Sequence, residues 1–396
     1  MKPRVSIVGT GFVGKGLALL IANSPHFSLG RILTRRPLAH VKHPCPHTLT
    51  NSLNELLDHA DIVVECSGHV LHATEVCQAA LEAGLPVVTM NAEFQVTAGS
   101  YFVGRGLITE AEGDQPGCLA ALKEQAELAG LTPIVYGNIK GYLNHNPSLQ
   151  DMLYWAHRQH ISLQQVTSFT DGTKLQIEQA LVANGLGADI AQPGLFGPSC
   201  DNLEEDVTPL INAALQMGTP ISDYVLSSTL PRGVFLVGVQ EHPYHQGALK
   251  YLRMGDGPFY VLLTNYHLVY MEIMRTLLRV KRGIGPLLTN SATPRIGVAA
   301  ITKRVLEAGQ ILSHGVGSFD VRGEAIRIQE HPDHVPIGLL YGARIKHRIE
   351  PGHILTFQDV ELPDSLALEA WKTIRTRVLK TVPAVTTSIT KTGRGQ

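Results

Sequence analysis

Short apolar runs alternate with longer amphipathic runs through the first third of the chain. The apolar runs predict strands, and they are Val5–Val8, Ser28–Thr34, Asp61–Glu65, Leu85–Met90, Gly106–Thr109 and Leu131–Tyr136. The amphipathic runs predict helices at Lys15–Ala22, His69–Ala83 and Asp114–Ala129. Strands that alternate with helices form a parallel, doubly wound sheet. Residues 1–137 are therefore predicted to form a domain of the α/β class with a Rossmann-type sheet.

Residues 138–290 have a different pattern, in which longer helical segments dominate. The predicted helices are Asn146–His160, Lys174–Asn184, Thr208–Gln216 and Pro258–Val280, and the predicted strands are Gln165–Thr170 and Val234–Gln240. This mixture predicts an α+β unit for substrate binding or oligomerisation.

Residues 295–363 are predicted to form a small β-rich unit of short strands and turns. The predicted strands are Arg295–Ile301, Val305–Ile311, Phe319–Gly323, Pro336–Leu340 and Ile349–Ile354. A Glu-x-Gly-x-Ile-Leu pattern occurs twice, at residues 307–312 and 350–355. Residues 381–396 are rich in Thr, Lys, Gly and Ser, a composition that predicts a disordered tail.

The first strand leads directly into a Gly-x-Gly-x-x-Gly motif. Its residues are Gly9, Thr10, Gly11, Phe12, Val13 and Gly14, and a helical run follows. In a dinucleotide-binding domain the first glycine allows the tight turn, the second lets the backbone approach a pyrophosphate, and the third allows close helix packing. The N–H groups at the helix start then face the phosphates. The alternative is a glycine-rich turn in some other strand–helix–strand unit.

The end of the second predicted strand indicates which dinucleotide binds. NAD-specific sites usually carry an acidic residue there for the ribose 2′-hydroxyl. This chain has Arg35 and Arg36 instead, and the planar guanidinium suits a 2′-phosphate. We therefore expect NADP(H), although both arginines are alternatively solvated loop charges. Ser67, Gly68 and Asn91 follow the next two strands and are expected near the nicotinamide half.

Composition excludes several classes of partner and site. The 396 residues are 44% apolar with a formal net charge of −1, so neither nucleic acid nor an anionic membrane is an expected partner. Five scattered cysteines without a Cys-x-x-Cys pair argue against a disulfide framework or a zinc site. They fit a reducing compartment. Because the sequence enters a strand without a leader, we expect a cytoplasmic protein.

The long apolar segment Pro258–Val280 contains Asn265, His267, Glu272 and two arginines. A lipid-spanning helix would rarely tolerate them. The segment is therefore interpreted as a buried or interface helix, and its length predicts a homodimer or higher homo-oligomer. His267 and Glu272 lie on that predicted helix, and His267 is interpreted as a buried, hydrogen-bonded histidine.

A run of charged residues near the start of one helix is the strongest candidate for catalysis. Asp171, Lys174 and Glu178 are three or four residues apart, a spacing that brings side chains together on a helix. A lysine between carboxylates stays charged and can polarise a carbonyl or donate a proton to an alkoxide. The alternative is an exposed Lys–Glu helix pair with an Asp cap.

Lys140 follows the last predicted strand of the first domain, where ligands of open α/β sheets bind. It is expected to reach substrate or its phosphate, or else to be a solvated loop lysine.

Glu110, Glu112 and Asp114 lie close together in a strand-to-helix turn. They predict a divalent metal site, an acid–base pair with shifted pKa values, or a helix N-cap with dipole-compensating glutamates. His242 and His245 form another candidate metal or phosphate site, or a polar loop.

Two segments resemble homoserine dehydrogenase. Residues 63–68 (VVECSG) and 84–91 (GLPVVTMN) resemble the fourth and fifth strands of its nucleotide domain. The C-terminal unit, with its repeated pattern and the Pro336–Leu340 run, resembles an SAF domain. The combination is similar to bacterial oxidoreductases with SAF tails, among them the 1-deoxy-D-xylulose 5-phosphate reductoisomerase-like group. Runs typical of that group are residues 113–117, 137–141, 170–174 with Glu178, and 266–268 with Glu272.

The resemblance implies an NADPH-dependent oxidoreductase that acts on a small polar carbonyl or alcohol, in its most specific form 1-deoxy-D-xylulose 5-phosphate. Lys174 or Lys140 would be the catalytic lysine. The chain departs from both relatives. Asn91 is followed by Ala92 and Glu93 where homoserine dehydrogenases usually have a lysine, and the reductoisomerase Ser-Glu-His metal motif is missing from the sequence. The alternatives are homoserine dehydrogenase, a sugar or polysaccharide-pathway dehydrogenase, and a non-catalytic NADP-binding protein.

Overall fold

The computed structural model describes residues 2–380, so the predicted disordered tail at 381–396 lies outside the described residues. Six parallel strands form the first sheet: β1 (Arg4–Val8), β2 (Ser28–Leu33), β3 (Leu49–Thr50), β4 (Ile62–Glu65), β5 (Val87–Thr89) and β6 (Ile108–Glu110). The helices between and after them are α1 (Phe12–Ala22), α2 (Leu53–Asp58), α3 (Val70–Glu82), α4 (Ala92–Ala98) and α5 (Gln115–Leu128).

The strand order of this sheet is β3-β2-β1-β4-β5-β6. Strands β1 and β4 are neighbours, and the chain proceeds in opposite directions from them. In such sheets ligands bind in the crevice at the carboxyl ends of the two strands where the order reverses. The predicted doubly wound α/β fold is confirmed, and the crevice lies between the loops that follow β1 and β4.

A second, mixed sheet has the order β10-β9-β7-β8. Its strands are β7 (Thr132–Lys140), β8 (Ile221–Leu226), β9 (Val234–Val239) and β10 (Phe259–Thr264). Its helices are α6 (Leu149–Gln159), α7 (Leu163–Thr170), α8 (Thr173–Leu186), α9 (Leu203–Asp206), α10 (Thr208–Met217), α11 (Pro243–Tyr251) and α12 (Ile273–Lys281). Strand β7 pairs with β8 in parallel and with β9 in antiparallel orientation.

Helix α8 lies at the centre of the molecule. Almost its whole length from Thr173 to Ala183 is buried, because it packs against α4 and α5, against β8, and against strands of the C-terminal unit. A helix that is buried all round has a fixed position. The first turn of α8, which carries Lys174, is therefore held rigidly against the first sheet.

The C-terminal unit contains two small sheets and a final helix. A two-stranded sheet pairs β11 (Ile296–Thr302) with β13 (Val321–Arg327), and a three-stranded sheet has the order β12-β14-β15. The strands of the latter are β12 (Ile311–Leu312), β14 (Ala343–Ile345) and β15 (Val360–Glu361). Helix α13 (Leu366–Lys380), which the sequence did not predict, packs its buried Trp371 side towards α3 and α4.

Two predicted elements of the first two units are wrong, and a third is a strand as predicted but belongs to the other sheet. Residues 165–170 are helical in α7, because Ser162 and Gln165 form a capping box that starts a helix. The strand at 131–136 belongs to the second sheet as β7, which crosses the predicted domain boundary at 137. The predicted helix Pro258–Val280 is strand β10, a loop and the shorter helix α12, because residues 259–264 pair with β9.

The C-terminal unit is less regular than predicted. The runs at 305–311 and 349–354 are mostly turns joined by an isolated bridge between Leu306 and Ile349, and 337–339 is a short 3-10 turn. Within residues 2–380 no helix is long and apolar enough to cross a membrane. Since the helix that suggested a homodimer does not exist, the oligomeric state stays a prediction.

Candidate active site

The turn after β1 has the shape that a bound pyrophosphate requires. Gly9 has a φ of 117°, and a Cβ there would lie 2.8 Å from the carbonyl oxygen of Cys66. A Cβ at Gly14 would lie 2.2 Å from the carbonyl oxygen of Gly9, so α1 packs directly against the turn. Gly11 is the exposed N-cap of α1, with open space where a side chain would be. The residues therefore fit a dinucleotide on the α1 N-terminus.

Arg35 and Arg36 follow β2 and line the same cleft. The Arg36 Nη2 group donates to the hydroxyl of Thr10 at 2.6 Å and to its carbonyl oxygen at 3.2 Å. Arg36 thereby joins the end of β2 to the glycine turn. Among residues 2–380, no carboxylate forms an ion pair with either arginine, which leaves both positive charges available to an anion.

The loops after β4 and β5 differ in what they offer a ligand. Ser67 and Gly68 line the cleft, and the backbone N–H of Ser67 donates to Glu65 at 2.8 Å. Asn91 does not line it. Asn91 is fully buried, and its Oδ1 caps α4 by accepting from the backbone N–H of Phe94 at 3.0 Å. The structure therefore places Asn91 as a helix cap behind the site, not as a direct nicotinamide contact.

One cleft of about 1470 Å³ connects these loops with the start of α8. Its lining includes the glycine turn, Arg35, Ser67, Lys174 and Glu178. It also includes Glu93, Asp114, Lys140, Arg232 and His267. The dinucleotide-binding loops and the predicted catalytic lysine therefore face the same space.

Lys174 lies among three carboxylates. Its Nζ is 3.1 Å from Asp114 Oδ2, 3.5 Å from Glu93 Oε2 and 3.9 Å from Glu178 Oε1. Glu178 Oε2 also accepts from Asn138 Nδ2 at 3.1 Å and from Lys140 Nζ at 3.3 Å. We call Lys140, Lys174, Glu93, Asp114 and Glu178 the lysine–carboxylate cluster.

The electrostatics of the cluster keep Lys174 protonated. Burial alone would lower the pKa of Lys174, but the charges of Asp114, Glu93 and Glu178 raise it well above its ordinary value. Burial raises the pKa of Glu178, and the neighbouring lysines oppose that rise. Perturbed groups that meet in a cleft are candidates for proton transfer. The cluster is therefore a proton-bearing site at the edge of the cofactor cleft.

Asp171 does not lie where the helix spacing suggested. It ends α7, and Gly172, with a φ of 85°, separates it from α8. Its Oδ2 contacts Lys303 Nζ at 2.6 Å, and its Oδ1 accepts from the backbone N–H of Thr173 at 2.9 Å. Asp171 therefore anchors the C-terminal unit to the start of α8 and is not a partner of Lys174.

The three acidic side chains that follow one another at the end of β6 lie in three different environments. Glu110 is fully buried, which raises the pKa of its carboxyl. Glu112 pairs with Arg275 at 3.2 Å, and Asp114 caps α5 while it also contacts Lys174. The predicted N-cap is confirmed. Across residues 2–380 no group of His, Cys, Asp or Glu side chains is arranged to hold a metal ion.

Two further cations line the cleft, Lys140 of the cluster and Arg232 outside it. Lys140 is the last residue of β7 and pairs with Glu178, and the guanidinium of Arg232 lies over the adjacent Gly141. Arg232 is exposed to the cleft, and within the described part of the chain it has no carboxylate partner.

His267 is an exposed loop residue that hydrogen-bonds to the carbonyl of Gly113, so the prediction of a buried helical histidine is wrong.

His242 and His245 do not form a metal site. His242 caps α11 through its Nδ1, which accepts from the backbone N–H of Tyr244 at 3.2 Å. Their rings are 5.1 Å apart in an exposed helix start, and neither residue lines the cofactor cleft. The interpretation as a polar loop and helix cap agrees with this geometry.

Two family models match the chain. The homoserine dehydrogenase NAD-binding domain matches residues 9–101, and the catalytic domain of oxidoreductase DRL matches residues 113–273. The chain is an NAD(P)-dependent oxidoreductase. Both matched regions contribute to the cleft, the first through the dinucleotide loops and the second through Lys174. Neither match reaches the C-terminal unit, so its resemblance to an SAF domain stays a prediction.

Solved structures with a related fold are distant. UDP-N-acetylglucosamine 3-dehydrogenase GnnA from Acidithiobacillus ferrooxidans is 10% identical, with a TM-score of 0.42 over 73% of this oxidoreductase and 92% of that chain. A putative myo-inositol dehydrogenase from Sinorhizobium meliloti 1021 is 9% identical, with a TM-score of 0.40 over 73% and 92%. GenD2 from gentamicin A biosynthesis, in complex with NAD, is 18% identical, with a TM-score of 0.27 over 37% and 45%. None of the curated proteins matches the chain.

Sequence reasoning missed two members of the cluster as partners of Lys174. Glu93 follows β5 and Asp114 precedes α5, so both stand at the carboxyl edge of the first sheet. That shared edge was the available signal, because side chains that follow neighbouring parallel strands lie close together. Arg232 precedes β9 in a loop, and nothing local distinguishes it from a solvated arginine.

Proposed function

We propose that this oxidoreductase transfers a hydride between NADP(H) and the carbonyl or alcohol carbon of a small polar substrate that carries an anionic group. Lys174 is the residue that carries the proton. The observation that supports this assignment most strongly is the shared cleft, in which the phosphate-binding turn and the protonated Lys174 face the same space.

The nicotinamide supplies the hydride when the dinucleotide is bound. In the direction of reduction the carbonyl carbon gains that hydride, and the oxygen must gain a proton. Lys174 Nζ holds such a proton and lies at the cleft wall, so it is the donor in this proposal. A positioned general acid typically accelerates such a step by about 10²–10⁴-fold.

The charges around Lys174 determine the protonation state in which it enters the reaction. Three carboxylates surround Lys174 and keep it protonated at neutral pH, so it is a proton donor and not a base. Asp114, Glu93 and Glu178 also hold Nζ in place through contacts of 3.1, 3.5 and 3.9 Å. We therefore expect Lys174 to polarise the carbonyl oxygen and then to donate its proton to the alkoxide that hydride transfer forms, because the alkoxide is far more basic than the lysine.

The anionic group of the substrate is assigned to Arg232 and to Lys140 of the cluster. Arg232 has no carboxylate partner within residues 2–380, and Lys140 is only partly neutralised by Glu178. A guanidinium presents two parallel donors to a phosphate or carboxylate. An anion held there would share Lys140 with Glu178 and would leave the pairs of Lys174 with Asp114 and Glu93 in place.

The preference for NADP(H) over NAD(H) follows from Arg35 and Arg36. Both line the cleft at the end of β2, where the adenosine ribose is expected in this fold. Arg36 is already oriented by its bonds to Thr10. A 2′-phosphate would complete the coordination of these charges, whereas the 2′-hydroxyl of NAD would leave them unpaired.

The test is a turnover assay that follows loss of NADPH absorbance. The substrate panel contains 1-deoxy-D-xylulose 5-phosphate, aspartate semialdehyde as the carbonyl partner of homoserine, and a series of phosphorylated and neutral keto sugars. We expect turnover with at least one phosphorylated carbonyl compound, and slower turnover with its dephosphorylated form. Tight NADPH binding without any turnover would contradict the proposal and favour a non-catalytic NADP-binding protein.

A further inference from the structure

We propose that the C-terminal unit forms one wall of the adenosine end of the cofactor cleft, with Tyr341 as the residue that contacts the adenosine. This inference rests on the proposed function, because it assumes a dinucleotide on the Gly9–Gly14 turn. It assigns a role to a region that neither family match covers.

Tyr341 reaches the first sheet from the far end of the sequence. Its ring centroid is 4.3 Å from that of His69, and the two ring planes are inclined by 30°. His69 is the N-cap of α3 and therefore follows β4 at the carboxyl edge of the sheet. The ring of Tyr341 is partly buried and lines the cleft together with Arg35 and His72.

The same end of the cleft contains the charge expected to recognise the ribose phosphate. The pKa of His72 falls to about 4, chiefly through burial and then through the nearby charges of Arg35 and His69. Burial and the charge of Arg35 also lower the pKa of His69. Arg35, His72 and Tyr341 line this end of the cleft together, and His69 packs against the Tyr341 ring. The aromatic rings therefore lie at the same end of the cleft as the positive charges of Arg35 and Arg36.

Tyr341 is held in place by contacts from another unit. The side chain of Gln164 in α7 lies near the Tyr341 phenol and lines the same cleft, and Gln164 Nε2 donates to the carbonyl oxygen of Val316 at 2.8 Å. The backbones approach closely here, since a Cβ at Gly317 would lie 2.1 Å from the carbonyl oxygen of Gln164. The position of the ring is therefore fixed before any ligand arrives, which reduces the entropy cost of binding.

The turn of the C-terminal unit that precedes Tyr341 also packs closely against helices of the nucleotide-binding unit. A Cβ at Gly338 would lie 2.3 Å from Thr97 Oγ1 and 3.1 Å from Val70 Cγ2. Val70 is the first residue of α3, directly after His69. The turn that precedes Tyr341 therefore sits on the start of the same helix that its ring contacts.

Adenosine is the ligand part that fits this place. The pyrophosphate is expected on the glycine turn and the ribose at the end of β2, which leaves the base between Arg35 and the loop after β4. An aromatic ring that stacks on the base strengthens binding, and alanine substitution removes that contribution. Tyr341 and the imidazole of His72 line the cleft at that position, and His69 packs against the Tyr341 ring.

The experiment measures binding of cofactor fragments to Tyr341→Ala by calorimetry. Adenosine 2′,5′-bisphosphate represents the adenosine end, and reduced nicotinamide mononucleotide represents the other end. We expect roughly tenfold weaker binding of NADPH and of the bisphosphate, a loss that corresponds to about 1.4 kcal/mol. Binding of the mononucleotide should be unchanged. Tyr341→Phe keeps the ring and should bind the bisphosphate within about twofold of the parent.

Ile311→Ala is the matched control, because Ile311 is an exposed apolar residue of the same unit outside the cleft. Wild-type affinity of Tyr341→Ala for the bisphosphate would overturn the inference, and so would equal weakening of both fragments. If the alanine variant does not fold, Tyr341→Leu replaces it, because leucine retains bulk without the aromatic ring. The same loss of affinity for the bisphosphate is then expected. If no substrate is found, the proposed function is contradicted. The affinities of the cofactor fragments can still be measured, and they test the role of Tyr341 separately.

Discussion

The ammonium of Lys174 lies 3.1 Å from the carboxylate of Asp114, which is 60 residues earlier in the chain. Asp114 is the N-cap of α5, and Lys174 is in the first turn of α8. The contact therefore joins the starts of two helices that pack against each other. One consequence is that the proton carrier of the proposed reaction is held by the nucleotide-binding sheet as well as by its own helix.

Replacing the cleft cations should change substrate affinity more than turnover. We expect Arg232→Ala to raise the KM for an anionic substrate by roughly 10-fold to 100-fold, since hydrogen bonds to charged groups contribute about 1.5–3 kcal/mol. The kcat should change little, because Arg232 does not touch Lys174. Steady-state kinetics with a phosphorylated substrate and its neutral analogue provide the measurement. An equal rise in KM for both substrates would show that Arg232 does not bind the anionic group.

Cofactor preference should depend on the two arginines after β2. We expect Arg35→Ala and Arg36→Ala to weaken NADPH binding by roughly tenfold or more, because each removes a charged donor from the 2′-phosphate. NADH binding should be nearly unchanged. Fluorescence titration with both dinucleotides measures the preference, and Arg344→Ala, an exposed change in the C-terminal unit, is the control. Equal losses for NADPH and NADH would contradict the assignment.

The ion pair between Asp171 and Lys303 should stabilise the contact between α8 and the C-terminal unit. The side chains are 0% and 2% exposed, so removing one partner leaves a buried charge. We expect Lys303→Met to lower the free energy of unfolding by roughly 3–5 kcal/mol. Denaturant unfolding measures the change.

The double variant Asp171→Asn with Lys303→Met should recover much of that loss, because it leaves no unpaired charge. Arg304→Met is the matched control. Its side chain is 61% exposed in a pair with Asp320, and such pairs contribute about 1 kcal/mol or less. A Lys303→Met effect as small as that of the control would show that the buried pair does not hold the two units together.

Acid should destabilise the C-terminal unit through His334. Burial lowers the pKa of His334 from 6.5 to about 4, and its Nδ1 hydrogen-bonds to the carbonyl of His331 at 2.7 Å. The unfolded chain therefore takes up the proton at higher pH than the folded chain. The contribution of neutral His334 to the free energy of unfolding is complete above pH 6.5. It falls by up to about 3 kcal/mol as the pH drops towards 4.

Thermal unfolding between pH 7 and 4 tests this prediction. His334→Asn keeps a donor towards the His331 carbonyl but does not titrate, so its stability should depend less on pH. His47→Asn, a change at an exposed histidine, should behave like the parent. An unchanged pH dependence in His334→Asn would show that another group controls acid unfolding.

Local sequence is sufficient to recognise the candidate dinucleotide loops, because their parts are close together in the chain. The glycine turn joins β1 to α1, and the two arginines follow the next strand, so no distant contact is needed to recognise them. The lysine–carboxylate cluster was only half predicted. Glu178 is one helical turn from Lys174, whereas Glu93 and Asp114 reach it through packing between α8, α4 and α5.

The errors have equally specific causes. Helix spacing paired Asp171 with Lys174, but Gly172 turns the chain with a positive φ, and Asp171 ends the preceding helix. The apolar composition of 258–280 suited a helix, yet pairing of residues 259–264 with β9 determines a strand there. The first error was local, a turn at a glycine, whereas in the second a tertiary contact outweighed the local pattern.

Single-turnover oxidation of NADPH by Lys174→Met tests the central claim most directly. Dinucleotide affinity should stay within about twofold of the parent, and the hydride-transfer step should slow by roughly 10²–10⁴-fold, because the proton donor is removed while the cofactor loops are untouched. Lys123→Met, which removes a lysine from the partly exposed Lys123–Glu127 pair on α5, should keep the parent rate. A parent-like rate in Lys174→Met, with a substrate that the parent reduces, would contradict the account.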